Sequence, residues 1–160
     1  MKNLYLTFSI CVCSVYSFAQ IPQFTKDINT QYQSSNPINF HTHDSSTYFV
    51  ATSNTTQGAE LWKTDGSAAG TFLLKDIYDG AQSSGASNFL SADSLLYFTA
   101  RDAAHGIELW KTDGTATNTI LVKDIRTGTT NAGIANMTYF ASKESVVFTA
   151  NDGTNGNELW

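Results

Sequence analysis

The tripeptide Glu-Leu-Trp occurs three times in this chain, as Glu60-Leu61-Trp62, Glu108-Leu109-Trp110 and Glu158-Leu159-Trp160, at offsets of 48 and 50 residues. Other markers keep the same step. Lys26-Asp27-Ile28 returns as Lys75-Asp76-Ile77 and Lys123-Asp124-Ile125, and Tyr48-Phe49-Val50-Ala51 matches Tyr97-Phe98-Thr99-Ala100 and Val147-Phe148-Thr149-Ala150. Upstream, Phe40, Phe89 and Tyr139 fall into line. A period of this size restricts the fold to a tandem architecture, in which each unit buries its apolar face against a neighbour.

Each unit reads as four short strands. In the central copy these are Asn88 to Ala92, Leu95 to Arg101, Ile107 to Thr112 and Thr119 to Ile125, with Ala92-Asp93-Ser94 as the first turn. Thr112-Asp113-Gly114-Thr115 joins the last two strands, as Thr64-Asp65-Gly66-Ser67 does in the preceding copy. Asp caps such a turn through its side chain, and Gly accepts the positive φ that the bend requires. Gly58, Gly106 and Gly156 each stand two residues before the Glu and suit a bend into the third strand. No stretch after residue 19 carries an apolar 3.6-residue period long enough for a stable helix.

The expected fold is therefore all-β: tandem four-stranded antiparallel repeats of about 48 residues, β-propeller-like blades in an incomplete propeller. The copies run over about 29–77, 78–125 and 126–160, the last truncated, and a fourth-type strand is expected around Phe24 to Ile28. Three blades are fewer than the four to eight of ordinary propellers, so the chain reads as a fragment of a longer protein. Trp62, Trp110 and Trp160 read as packing anchors between blades.

The first nineteen residues differ in kind. Lys2 is followed by an uncharged apolar stretch from Leu4 to Phe18, and Ser17-Phe18-Ala19 offers small residues at the two positions a signal peptidase reads. The stretch is shorter than the ~20 residues needed to span a bilayer, so a signal peptide over 1–19 is expected, cleaved near Ala19/Gln20, with no transmembrane segment left afterwards. Cys11 and Cys13 lie inside it, and Val12 before Cys13 does not suit a lipoprotein site. The remainder, 20–160, has no thiol and carries 8 basic against 14 acidic side chains, a formal charge of −6. Disulfides are excluded, and nucleic acid, which needs clustered Lys and Arg, is not an expected partner.

Candidate chemistry is sparse. His41-Thr42-His43-Asp44 places two imidazoles on one strand face, within reach of one metal, but the aligned positions hold Leu90 and Ala92, then Phe140 and Ser142, so no metal site is expected. The loop from Asn151 to Glu158 has the alternating oxygens of a calcium loop, whereas Arg101 to Gly106 has lost most of them; a turn is expected and no cofactor, with calcium as the alternative. Glu60, Glu108 and Glu158 recur once per copy, as do Asp76 and Asp124, and a catalytic site needs unlike groups converging at one place. They are expected to serve the repeat through strand-edge hydrogen bonds or salt bridges. No catalytic residue is assigned, and the structural markers are Trp62, Trp110, Trp160, Asp65, Gly66, Asp113, Gly114, Glu60, Glu108 and Glu158. The Thr-Asp-Gly turn follows its Trp, unlike the Asp-box turn of sialidase propellers, which weakens that analogy.

On Gly58 to Gly66 and Gly106 to Thr115 the sequence resembles the ELWxxDGT-repeat family of secreted bacterial proteins, often of the Bacteroidetes type. The family's Gly-Thr after the turn survives as Gly70-Thr71 and departs to Asn118-Thr119, and Ser67 replaces the first turn Thr. The resemblance covers nearly all of 20–160 and implies large exported proteins with tandem propeller-like repeats, many ending in a type IX sorting domain, with no generally assigned activity. The expected function is a non-enzymatic exported repeat protein, a secreted or cell-surface binding or adhesion module whose extracellular ligand is a glycan, a cell surface or matrix. Two alternatives stand beside it: part of a propeller enzyme acting on extracellular polysaccharide, and a purely structural spacer.

Overall fold

A computed structural model describes residues 23–31 and 33–160; the expected signal peptide lies outside the described residues. The structure is all-β, with three antiparallel sheets in chain order. The first holds β1 (Ile38–His43), β2 (Ser46–Thr52), β3 (Ala59–Thr64) and β4 (Phe72–Lys75). The second holds β5 (Ser87–Ala92), β6 (Leu95–Ala100), β7 (Glu108–Thr112) and β8 (Ile120–Lys123), and the third β9 (Ala135–Phe140), β10 (Ser145–Asn151) and β11 (Asn157–Leu159). Each sheet is a meander of sequential neighbours. Among the described residues no helix is long and apolar enough to cross a membrane.

The sheets stack face to face, which explains the composition of their second strands. Tyr48, Phe49, Val50 and Ala51 are all buried, as a strand covered on both sides must be. Tyr48, Val50, Leu61 and Leu74 of the first sheet pack against Leu96, Phe98, Ala100 and Trp110 of the second, with Ile77 and Ala86 of the connection between them. Leu109 and Ile125 meet Ala132, Ile134, Phe148, Ala150 and Trp160 at the next junction. The first strands draw together, β1 beside β5 and β5 beside β9. Each is bulged, between Ile38 and His41, between Ser87 and Leu90, and opposite Val147 to Thr149. At the bulges Asn39, Asn88 and Asn136 adopt φ of 56°, 52° and 56°, a left-handed conformation that Asn tolerates better than most residues.

Three expectations need correction. Residues 23–31 form no strand around Phe24 to Ile28: Phe24 is exposed, and the segment is tied by side chains instead, with Lys26 Nζ donating to Thr71 O at 2.6 Å and Ile28 packed on Phe49, Ala51 and Trp62. The second correction concerns Tyr139. Register pairs Ile38 with Val50, Ser87 with Thr99 and Ala135 with Thr149, so Met137, not Tyr139, answers to Phe40 and Phe89. The third turn is longer and holds a 3-10 turn over Ala141–Lys143, which put the ungapped comparison out of step. His41 and His43 therefore match Thr138 and Phe140 in the third sheet, rather than Phe140 and Ser142. Third, the central strands are shorter at their ends than expected. Arg101 N donates to Ser84 O, and Ile125 N donates to the Glu108 carboxylate, so neither backbone continues a ladder.

Candidate functional site

Alternation along the third strand sends Leu61 and Leu109 to one face and Trp62 and Trp110 to the other, with Glu60 and Glu108 buried at 1% and 0% exposure. The role of the glutamates is specific. Glu60 accepts N–H bonds from Ile77 (2.9 Å), Tyr78 (3.4 Å) and Ser84 (2.8 Å). Glu108 accepts them from Ile125 (3.1 Å) and Arg126 (3.3 Å). Each carboxylate thus pins the connection that leaves the fourth strand for the next sheet. The expected hydrogen bonds of Glu60 and Glu108 run to the exit segments and not along a strand edge. Among the described residues neither glutamate pairs with a cation, while Asp76 and Asp124 face Gln57 and His105. Burial raises both carboxyl pKa values, and the backbone donors only partly oppose it. Glu158 on β11 is exposed.

The Thr-Asp-Gly turn is closed by its own side chains. Asp65 Oδ1 accepts from Ser67 N and Oγ at 2.8 and 2.7 Å, and Asp113 Oδ1 from Thr115 N and Oγ1 at 2.9 and 2.7 Å. These bonds lower both aspartate pKa values. Thr64 and Thr71 hydroxyls meet at 2.6 Å, Thr112 and Thr119 at 2.8 Å, and the later Thr donates on to Ser67 O or Thr115 O. Gly66 and Gly114 take φ of 90° and 88°, as a turn of this kind demands. Where the first turn has Gly70 pressed against the Asp65 carboxylate, the second has Asn118, whose Nδ2 donates to Asp113 Oδ2 at 2.6 Å.

Gly58 and Gly106 serve close approach, not the expected bend. Neither has a positive φ, and a Cβ on either would run into the backbone of Gln82 or Thr130. Their N–H groups donate to Gly80 O and Gly128 O at 3.1 and 2.9 Å. Gly156 does bend, with φ 83°.

The tryptophans divide by what covers them. Trp110 Nε1 donates to Ala100 O at 3.0 Å and Trp160 Nε1 to Ala150 O at 3.2 Å, whereas Trp62 Nε1 is buried without a partner among the described residues. Beside Phe49, an apolar cavity of about 270 Å³ is lined by Ile28, Pro37, Phe40 and the Lys26 stem.

His41 and His43 share a strand face but not a task. His41 Nε2 lies 2.9 Å from Ser91 Oγ, its ring over Phe89, while His43 is buried with Nε2 3.7 Å from Asp44 Oδ2. Burial, then the neighbouring His43, lowers the His41 pKa. Among the described residues no group of three His, Cys, Asp or Glu could hold a metal ion. The calcium-like loop uses Asp152 as a cap: Oδ1 accepts from Thr154 N and Asn155 N, and Oδ2 from Asn155 Nδ2.

That cap recurs, a feature the sequence reading missed. Asn54 caps Thr56 N and Gln57 N, and Asp102 caps Ala104 N and His105 N, at the same loop between the second and third strands. Asn or Asp repeated at one loop position was the available signal. What the recurring polar residues do chemically is therefore consistent: they satisfy backbone N–H groups and close turns. Compared with family models, with curated proteins and with solved structures, the chain has no match.

Proposed function

We propose that the chain is a stretch of an exported, non-enzymatic repeat protein of the ELWxxDGT type, whose sheets are blades of a propeller and whose variable loops bind an extracellular partner. One observation carries the reading: Glu60, Glu108, Asp65 and Asp113 are engaged by backbone donors where the chain passes to the next sheet and by donors of their own turns, so the residues common to the copies serve the framework. The loops 53–57, 101–105 and 151–155 stand in equivalent positions between the second and third strands and carry unlike, half-buried or exposed residues around the shared Asn or Asp cap. Rigid scaffold with variable loops is the arrangement in which binding surfaces are found. Face-to-face stacking with converging first strands supports the propeller arrangement. The partner proposed is a glycan, a cell surface or matrix.

The test is binding of the secreted protein to a glycan array and to intact cells, with hydrolysis of the same polysaccharides followed in parallel. Saturable binding without turnover supports the reading. Turnover would replace it with the propeller enzyme, and neither binding nor turnover with the spacer.

A further inference from the structure

The loop between the second and third strands carries Gln57 in the first sheet and His105 in the second, each three residues after the capping Asn54 or Asp102. Gln57 Nε2 donates to Asp76 Oδ2 at 2.9 Å, which ties its loop to the segment leaving β4. His105 occupies the equivalent place opposite Asp124, the counterpart of Asp76. Its Nδ1 lies 2.9 and 3.0 Å from the two oxygens of Asp102, and its Nε2 4.0 Å from Asp124 Oδ2. In both sheets the other oxygen of that aspartate, Oδ1, is buried without a partner.

A neutral imidazole has one N–H, and the Asp102 carboxylate, which can only accept, claims it for Nδ1. Nε2 then faces Asp124 with a lone pair, and a second proton converts that contact into an N–H directed at a carboxylate. The charged groups acting on the ring are Asp102 from its own loop, Asp124 beyond β8 and Glu108 on β7, all of them carboxylates. The Asp102 hydrogen bond is the largest influence, and together they raise the His105 pKa above 6.5 against the opposing effect of burial.

We propose that His105 is a pH-dependent clip, whose imidazolium joins the β6–β7 loop, through Asp102, to Asp124 at the exit of β8, and whose deprotonation releases that loop while Gln57, an amide that does not titrate, holds its counterpart closed over the same pH range. The clip is fully present below the unfolded histidine value of about 6.5 and is lost as pH rises through the higher folded value. The proposal is independent of what the loops bind.

An NMR titration of the three imidazoles in the whole chain tests it, with amide exchange at Ala104 and His105 measured relative to Thr56 and Gln57 to cancel the intrinsic pH effect. His105 should titrate above 6.5, and the relative protection of its loop should fall as it deprotonates, about tenfold for each unit by which the pKa is displaced. Asp124→Asn should move the midpoint down, and His105→Gln should make the relative protection independent of pH. Gln57→His should install a second titrating loop in the first sheet, a result that stands even if a change at Asp124 impairs folding. An unchanged midpoint in Asp124→Asn, or a pH-dependent ratio surviving in His105→Gln, overturns the clip and leaves only the local contact with Asp102.

Discussion

The first and second sheets have nearly the same sequence pattern but different surroundings. The second is covered by a sheet on each face, the first by a sheet on one face and by the irregular segment 23–31 on the other. Their Thr-Asp-Gly turns make the contrast sharp. Gly114 is buried, its carbonyl accepting from Lys63 Nζ of the first sheet at 3.3 Å, with Tyr48 Oη beside it. Gly66 is exposed with no atom near the place a Cβ would take. Yet the two turns make matching internal hydrogen bonds. The turn is thus a local structure that forms regardless of a neighbour, and docking onto Lys63 and Tyr48 is a second, separable use of it.

Trp110 and Trp62 break the comparison most severely. Trp110 is at a sheet–sheet junction with its Nε1 satisfied, so Trp110→Ala should destabilise by about 3–5 kcal/mol. That is a large share of the ~5–15 kcal/mol available to a domain. Trp62 packs on Ile28 and Leu73 rather than on a second sheet, with an Nε1 unpartnered among the described residues, so Trp62→Ala should lose less. Thermal melts of the two variants decide it, and equal losses would mean that segment 23–31 covers the first sheet as well as a sheet would.

A smaller effect belongs to the glutamate. Glu108→Gln replaces one carboxylate oxygen with a donor, leaving one of the N–H groups of Ile125 and Arg126 facing another N–H, at a cost of about 1–3 kcal/mol. Glu158→Gln, on the exposed β11, should change little. The pH dependence gives a second reading. Because burial raises the folded pKa above 4.5, the folded state holds its proton more tightly than the unfolded chain. This contribution is present below about 4.5 and is lost as pH rises through the folded value, so wild type should lose more stability than Glu108→Gln over that rise. Denaturant melts at two pH values measure the difference.

These glutamates mark the limit of what was legible. The antiparallel strands of the three sheets and the Asp-Gly turns could be read because their signals are local: aromatic and β-branched runs, and a turn whose residues bond each other. The partners of Glu60 are backbone N–H groups 17, 18 and 24 residues away, and a backbone donor leaves no mark on residue type. Gly58 was misread for a related reason. A glycine needed for close approach looks the same in sequence as one needed for a bend, and only the backbone of Gln82 beside it distinguishes them. The three bulge asparagines were visible as Ile38-Asn39-Phe40, Ser87-Asn88-Phe89 and Ala135-Asn136-Met137, but pairing them required a longer third turn that ungapped alignment does not allow.

The glycines of the two turns make the finest distinction. Both hold φ near +90°, so Gly66→Ala and Gly114→Ala share a backbone strain of about 1 kcal/mol. Only at Gly114 does the added methyl also meet the ammonium of Lys63 and the hydroxyl of Tyr48, both near 2.7 Å. Those are the ends of flexible side chains and can swing away, so the clash itself costs little, but moving them gives up the Lys63 bond to Gly114 O. Gly114→Ala should therefore exceed Gly66→Ala by roughly one hydrogen bond to a charged group, about 1.5 kcal/mol. The excess should vanish when Lys63→Met is already present, since the bond is then gone from both sides of the comparison. An excess that persists in the double variant would assign the difference to the backbone at Gly114, and the second turn would then be held by its neighbour rather than by itself.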